Sequence, residues 1–220
     1  MEHGPRNRRQ VALTFDADLS TGMLAKLRSG RVTSYANMAV VDELERHQAP
    51  ATIFFTGMWM ERYPRETDRI VANPLFELAT HSYAHRGFRP GCYRLGYVQP
   101  RDMLSDVVRT IELLRRHSPR VTRYFRFPGG CKDATALRAL APAGITDVEF
   151  DVISGDAFGT SAETIVRNIL TGARNGSIVV LHVNGGDAAP HTAKALPKVI
   201  KGLRAKGFEL VRLSTVLGQE

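Results

Sequence analysis

No apolar run in this 220-residue chain approaches the roughly 20 residues needed to cross a bilayer, which excludes a spanning helix. The opening MEHGPRNRRQ is basic, but no apolar segment follows it, so no signal peptide is read there. Zinc-finger spacing, an RNA-recognition signature and a helix-turn-helix pattern are all missing, which leaves a nucleic-acid binder without a motif. There is no repeat, no low-complexity tract and no linker. Residues 1–220 therefore read as one domain, long enough to bury a core. Cysteine is scarce: only Cys92 and Cys131 are present.

What the chain does carry is positive charge, +8 net. Charge speaks to partners more than to fold. Nucleic acid, an acidic membrane surface and an anionic wall polymer would all be attracted, and a basic surface without a specific partner is the plain alternative. Among specific partners the polymer is favoured.

Strand-like and helix-like segments alternate from end to end. Strands are expected at residues 11–15, 51–57, 75–80, 123–127, 145–152, 177–183 and 208–213. Helices are expected at 34–48, 64–73, 100–117, 133–141, 162–173 and 192–207, the last interrupted by Pro197. About seven β-then-α units argue for an α/β fold with a parallel sheet and helices outside it. Right-handed crossovers can curl such a sheet into a barrel or leave it open.

The polar residues gather at strand ends. Asp16 and Asp18 follow the first strand, and His81 and His85 the third. Arg126 ends the fourth, with Pro128-Gly129 after it. Asp151 and Asp156 end the fifth, and His182 lies near the end of the sixth. In parallel α/β folds the C-terminal strand ends and the loops after them build the site.

On a helix, the four-residue spacing of His81 and His85 would put both rings on one face, where they can share a metal ion. Two histidines, a carboxylate and an open position make a catalytic zinc arrangement. One aspartate of F-D-A-D supplies the ligand oxygen and the other a general base. A metal so placed acidifies water and polarises a carbonyl. Hydrolysis also needs an acid for the leaving group. His182 suits that task, since an imidazole titrates near neutral pH; local sequence alone favours a core histidine bonded to a backbone carbonyl. Arg126, in an apolar strand, needs a buried anion, and Asp156 and Asp16 are the obvious partners. The N–H of Gly129 can serve an oxyanion. If the motifs before Cys92 and Cys131 converge, both sulfurs lie at one rim and a disulfide is expected, with an oxidising compartment implied. The alternative is two unrelated thiols.

Taken in order, T-F-D-A-D (14–18), H-S-Y-A-H (81–85), R-F-P-G-G (126–130), D-V-I-S-G-D (151–156) and L-H (181–182) resemble the five motifs of the polysaccharide deacetylases, carbohydrate esterase family four. The resemblance spans residues 11 to 213. It implies a distorted (β/α) barrel, a divalent metal (usually Zn2+, with Co2+ or Ni2+ as alternatives) and removal of acetyl groups from polysaccharides. It assigns Asp16 as base and Asp18, His81 and His85 as metal ligands. Arg126 would hold the base, Gly129 would serve the oxyanion, and His182 would be the acid with Asp156 tethering its ring. The chain departs from the pattern twice. Ala17 separates aspartates that the family places side by side. Ala157 and Phe158 follow Asp156 where a tryptophan is usual, and Phe158 is expected against His182 at the site wall.

The reading that follows is a metal-dependent N-deacetylase of N-acetylglucosamine-containing glycans. The basic surface favours peptidoglycan over neutral chitin oligosaccharides, and acetylxylan is a third substrate. Tyr83, Tyr93 and Phe158 are expected to line the groove; Trp59 and Tyr63 read as core, and His3, His47, His117 and His191 as surface or helix-end residues. A monomer in the cell wall or outside the cell is expected. A glycan-binding domain without turnover and a basic nucleic-acid binder are the rivals from other classes.

Overall fold

Residues 11–17 alternate in destination. Val11, Leu13, Phe15 and Ala17 pack into the large core outside the sheet, whereas Ala12 packs into a second core inside its curl. Successive strand side chains point to opposite faces, so Thr14, Asp16 and Asp18 share the inner face with Ala12. The same two-residue step carries Ala79 to His81 and Tyr124 to Arg126, and two such steps carry Ile178 to His182. The inner face is thus apolar at the N-terminal end of the strands and polar at the C-terminal end.

The structure, a computed structural model, describes residues 1–219. Its strands are β1 (Gln10–Ala17), β2 (Ala51–Phe55), β3 (Phe76–Thr80), β4 (Val121–Phe125), β5 (Thr146–Asp147), β6 (Val152–Ile153), β7 (Ser177–His182) and β8 (Glu209–Val211). Its helices are α1 (Thr21–Arg28), α2 (Met38–Arg46), α3 (Gly57–Arg62), α4 (Pro64–Ala72), α5 (Met103–His117), α6 (Ala134–Leu140), α7 (Ala162–Gly172), α8 (Thr192–Ala205) and α9 (Leu213–Leu217). All strand pairings are parallel, in the order β5-β4-β3-β2-β1-β7-β6. β8 pairs with the first residues of β1, Gln10 to Ala12. This is a curled half-barrel, the distorted (β/α) barrel expected. Among the described residues no helix is long and apolar enough to cross a membrane.

Three local expectations are corrected. Residues 145–152 do not form one strand. The Val148 N–H bonds to Phe125 O on one edge of the sheet and the Asp151 N–H to Ile178 O on the other. The segment therefore straddles the seam, leaving β5 and β6 as two-residue strands on opposite edges. α8 is not interrupted by Pro197 but runs through it, as the sixth of its 14 residues. α2 begins at Met38 rather than at 34, because Ala36 is drawn into a bridge with Asn184. α1, α3 and α9 are short helices that periodicity does not reveal. Trp59 of α3 is buried between Phe55 and Tyr63, in the core as expected.

Candidate active site

Arg126 is the centre of the polar end. Its guanidinium is 1% exposed and donates to Asp16 Oδ1 at 2.7 Å and to Thr14 Oγ1 at 2.9 Å. Its Nε donates to Val148 O, and the group lies 4.1 Å from the centroid of the Phe54 ring. A buried cation needs such a complete set of partners. Asp156 is not among them. Burial alone would raise the Asp16 carboxyl; Arg126, then His81 and His182, outweigh it and hold Asp16 below the usual carboxylate range.

Asp18 is fixed by its backbone. Its N–H donates to Asn184 Oδ1 at 3.0 Å and its carbonyl accepts from Asn184 Nδ2 at 2.7 Å. Ala17, the extra residue of the first motif, points outward, so both aspartates face inward without a bulge. The Asp18 carboxylate lies 3.6 Å from His81 Nε2 and 3.4 Å from His85 Nε2. The H-S-Y-A-H segment is not a helix, the one setting in which its spacing alone would stack the two rings. It is a loop in which Ser82 and His85 adopt positive φ, 65° and 53°, and the two rings still approach to 5.0 Å. His81 Nδ1 meets the carbonyl oxygen of Arg126 at 2.7 Å, which places the ring proton there and leaves the Nε2 lone pair facing Asp18.

These three residues fit a divalent cation. Asp18 Oδ1 is buried without a hydrogen-bond partner, and ligand atoms of all three lie within 4.8 Å of one another. Four-coordinate zinc with ligands at 2.0–2.1 Å separates them by about 3.3 Å, close to the distances above. Burial lowers His81 and takes His85 down to about 4, so both imidazoles are neutral and free to ligate. Burial, with Asp16 and Asp156 nearby, raises the Asp18 carboxyl against the pull of His81 and His182.

His182 faces this cluster, its Nε2 3.6 Å from Asp18 Oδ2. Asp156 holds it from behind: Oδ1 meets Nδ1 at 2.8 Å, and Oδ2 accepts the His182 backbone N–H, also at 2.8 Å. Ser154 and Thr192 hydroxyls complete the carboxylate's bonds. Burial would lower the imidazole, but Asp156, Asp18 and Asp16 override it and raise His182 to about 10. Asp156 is held below its ordinary value: burial opposes ionisation, and His182 more than reverses that.

The remaining expected residues divide. Cys92 and Cys131 are joined, Sγ to Sγ at 2.00 Å, beside Gly129. Tyr93 stands over Gly129, 74% exposed. Phe158 is 77% exposed on the turn after Asp156 and does not replace the tryptophan as a packed wall beside His182. Tyr83 is half-buried: its hydroxyl donates to Glu61, Arg109 covers its ring, and it lines a cleft with Asp106 and Arg109. Asp151 is at the other end of β7, where it accepts from Ile178 N–H, Ser177 and Arg6. Thr14, Asn184, Ser154 and Thr192 were not singled out from sequence. Strand parity could have found the first two, since each lies two residues from a site residue.

The family model for polysaccharide deacetylases matches residues 3–148, ending before Asp156 and His182. A peptidoglycan-N-acetylglucosamine deacetylase of Bacillus cereus is 28% identical over 213 residues, covering 97% of this chain and 70% of that protein. A chitooligosaccharide deacetylase of Sinorhizobium fredii is 30% identical over 179 residues, covering 77% and 80%. The crystal structure of a peptidoglycan N-acetylglucosamine deacetylase aligns with a TM-score of 0.81 at 26% identity, over 100% of this chain and 92% of that one. A pseudoenzyme of carbohydrate esterase family four from Bacillus anthracis aligns with the same TM-score at 18% identity, over 100% of this chain and 69% of its own. That last likeness shows the fold alone, so the site residues must carry the chemistry. With its motifs converged on one end of the barrel and its sequence matched by the family model, this chain belongs to the polysaccharide deacetylases.

Proposed function

We propose that the chain is a zinc-dependent N-deacetylase of N-acetylglucosamine residues in a cell-wall glycan, peptidoglycan ahead of chitin-type oligosaccharides. One observation carries the reading: an arginine-held aspartate and an aspartate-held histidine flank the Asp18, His81, His85 cluster. A base and an acid thus face one metal position.

Asp18, His81 and His85 would hold the ion, whose chemistry when bound is to polarise the acetyl carbonyl and acidify a water. Asp16 takes the proton of the attacking water. Arg126 occupies its Oδ1 and leaves Oδ2 turned to the site, 3.7 Å from His81 Nε2. The Gly129 N–H serves the developing oxyanion. His182 gives its Nε2 proton to the leaving nitrogen, while Asp156 keeps the other ring proton on Nδ1. The C–N bond breaks, and acetate and a free amine leave.

The net charge of +8 supports an anionic wall polymer, and a relative matched over 97% of this chain is named for peptidoglycan. The chitooligosaccharide deacetylases among the relatives support the second substrate. A non-catalytic role is disfavoured because each position of the acid, base and ligand set is filled. The disulfide supports a place outside the cytoplasm, and a site complete within one chain supports a monomer. Acetate release from peptidoglycan, chitooligosaccharides and acetylxylan, with metal analysis of the protein used, tests the reading. Stoichiometric zinc and release from peptidoglycan are expected; no release from any of the three defeats it.

A further inference from the structure

The H-S-Y-A-H loop must aim two imidazoles at one point without a helix to space them. Two non-glycine residues at positive φ, Ser82 and His85, persist only where the surroundings over-determine them. From one side α3 supplies its first-turn N–H groups, which have no partner within the helix. Gly57 donates to Ser82 O at 3.1 Å and Met58 to Tyr83 O at 2.8 Å. The Tyr83 ring is pressed on Gly57, where a Cβ would come within 2.2 Å of Cδ2, and the Arg109 guanidinium lies 3.7 Å from the ring centroid.

That leaves the Tyr83 N–H, midway between the two histidines. Its acceptor comes from α5: Asp106 Oδ1 at 2.9 Å. The carboxyl is mostly buried, and burial lifts it to about 6 despite the bond from Tyr83 and the nearby Arg109 and Arg86. A largely buried carboxylate is costly where an apolar side chain would pack, and a buried N–H left without a partner is costly too. Asp106 sits at the wall of a cleft of about 450 Å3 whose lining includes neither Asp18 nor His182. It touches the site only through the Tyr83 peptide.

We propose that Asp106 is a positioning residue for the metal site. By accepting the Tyr83 N–H it holds the peptide that links His81 to His85 and so fixes the approach of their Nε2 atoms to Asp18. Without that acceptor the Tyr83 peptide rotates, Ser82 relaxes from its positive φ, and His85 leaves the shared point. The proposal rests on Asp18, His81 and His85 being the metal site.

The test compares two variants of nearly the same shape. Asp106→Asn keeps an acceptor oxygen; Asp106→Leu does not. Zinc affinity is measured by competition with a chromophoric chelator, alongside amide hydrogen exchange at Tyr83 and melting of the metal-free protein. Groups that orient metal ligands contribute about 10–100-fold in affinity. Asp106→Leu is expected to lose about that factor and to exchange the Tyr83 amide faster, with Asp106→Asn close to wild type in both. Asp106→Ala takes the place of Leu if the latter does not fold. Wild-type zinc affinity in the Leu or Ala variant overturns the proposal, and so does an Asn variant as weak as Leu. If the wild-type chain itself takes up no zinc, the metal reading fails instead, and the two failures are told apart.

Discussion

Asp156 grips His182 twice, through its ring nitrogen and through its backbone N–H, both at 2.8 Å. The double contact fixes the ring's rotation as well as its tautomer, so Nε2 can face only the Asp18 side. His182→Ala is expected to lower kcat by about 10²–10⁴-fold, the usual range for a general acid, with zinc content unchanged. Asp156→Asn should fall part of the way, since the amide can still hold the ring but no longer stabilises its charge. Turnover retained in His182→Ala would remove the histidine from the acid role.

The same pair sets a pH dependence of stability in the metal-free protein. His182 is raised from 6.5 to about 10 in the fold. Between those values the folded state binds more protons than the unfolded one, so stability falls as pH rises. Below 6.5 both states are protonated and the contribution is complete. Melting temperatures taken in chelator from pH 6 to 10 should therefore decline in the wild type and decline less in His182→Gln. Parallel curves would show that the pair does not titrate this way.

Arg126 is held by Asp16, Thr14 and Val148 together. Arg126→Leu strands a buried carboxylate, and breaking a buried pair in this way costs about 3–5 kcal/mol. With the arginine gone, burial dominates and the Asp16 carboxyl rises. The acidic limb of kcat/KM should then move to higher pH, because the base works only when ionised. Arg126→Lys keeps a charge but not the fork that reaches Thr14 and Val148 together, and an intermediate shift is expected. An unmoved limb in both variants would mean that Asp16 is not the base.

Much of the site was legible because strand parity is a strict rule. Asp16 and Asp18 are two residues apart, and His81, Arg126 and His182 each lie an even step from an inner apolar residue of their own chain segment. The H-S-Y-A-H loop was not legible, since left-handed Ser82 and His85 reproduce a meeting of rings that a helix also gives. Residues 145–152 misled for another reason: Ile145, Val148, Phe150 and Val152 are strand formers, but the two halves of the segment bond to opposite edges of the sheet. Asn184 and Thr192 were missed because their partners, Asp18 and Asp156, are distant in sequence.

Cys92 and Cys131 close a loop of 39 residues that contains α5. A loop of that length corresponds to about 4 kcal/mol in the chain-entropy account of disulfides. The Cys92→Ser/Cys131→Ser protein should melt lower by several degrees and turn over more slowly, because the bridge also pins Tyr93 beside Gly129. Zinc affinity should not change, since no ligand lies on the bridged turn. A melting temperature insensitive to both serines and to reductant would show that the bridge carries no stability.

Gly129 tests that pinning directly. It sits at φ 63°, and a Cβ there would fall 2.9 Å from Tyr93 Cδ2 and 3.2 Å from Cys92 Sγ. Two effects follow from Gly129→Ala. The positive φ itself costs an alanine roughly 1–2 kcal/mol, and the methyl pushes Tyr93 off the turn. The first lowers the melting temperature; the second, by moving the turn that carries the Gly129 N–H, is expected to lower kcat/KM. Tyr93→Ala removes the atom struck while leaving the φ cost in place. In the double variant the loss should therefore be smaller than the product of the single losses, as for any pair in contact. Losses that simply multiply would place the defect in the Gly129 backbone alone and leave Tyr93 without a part in it.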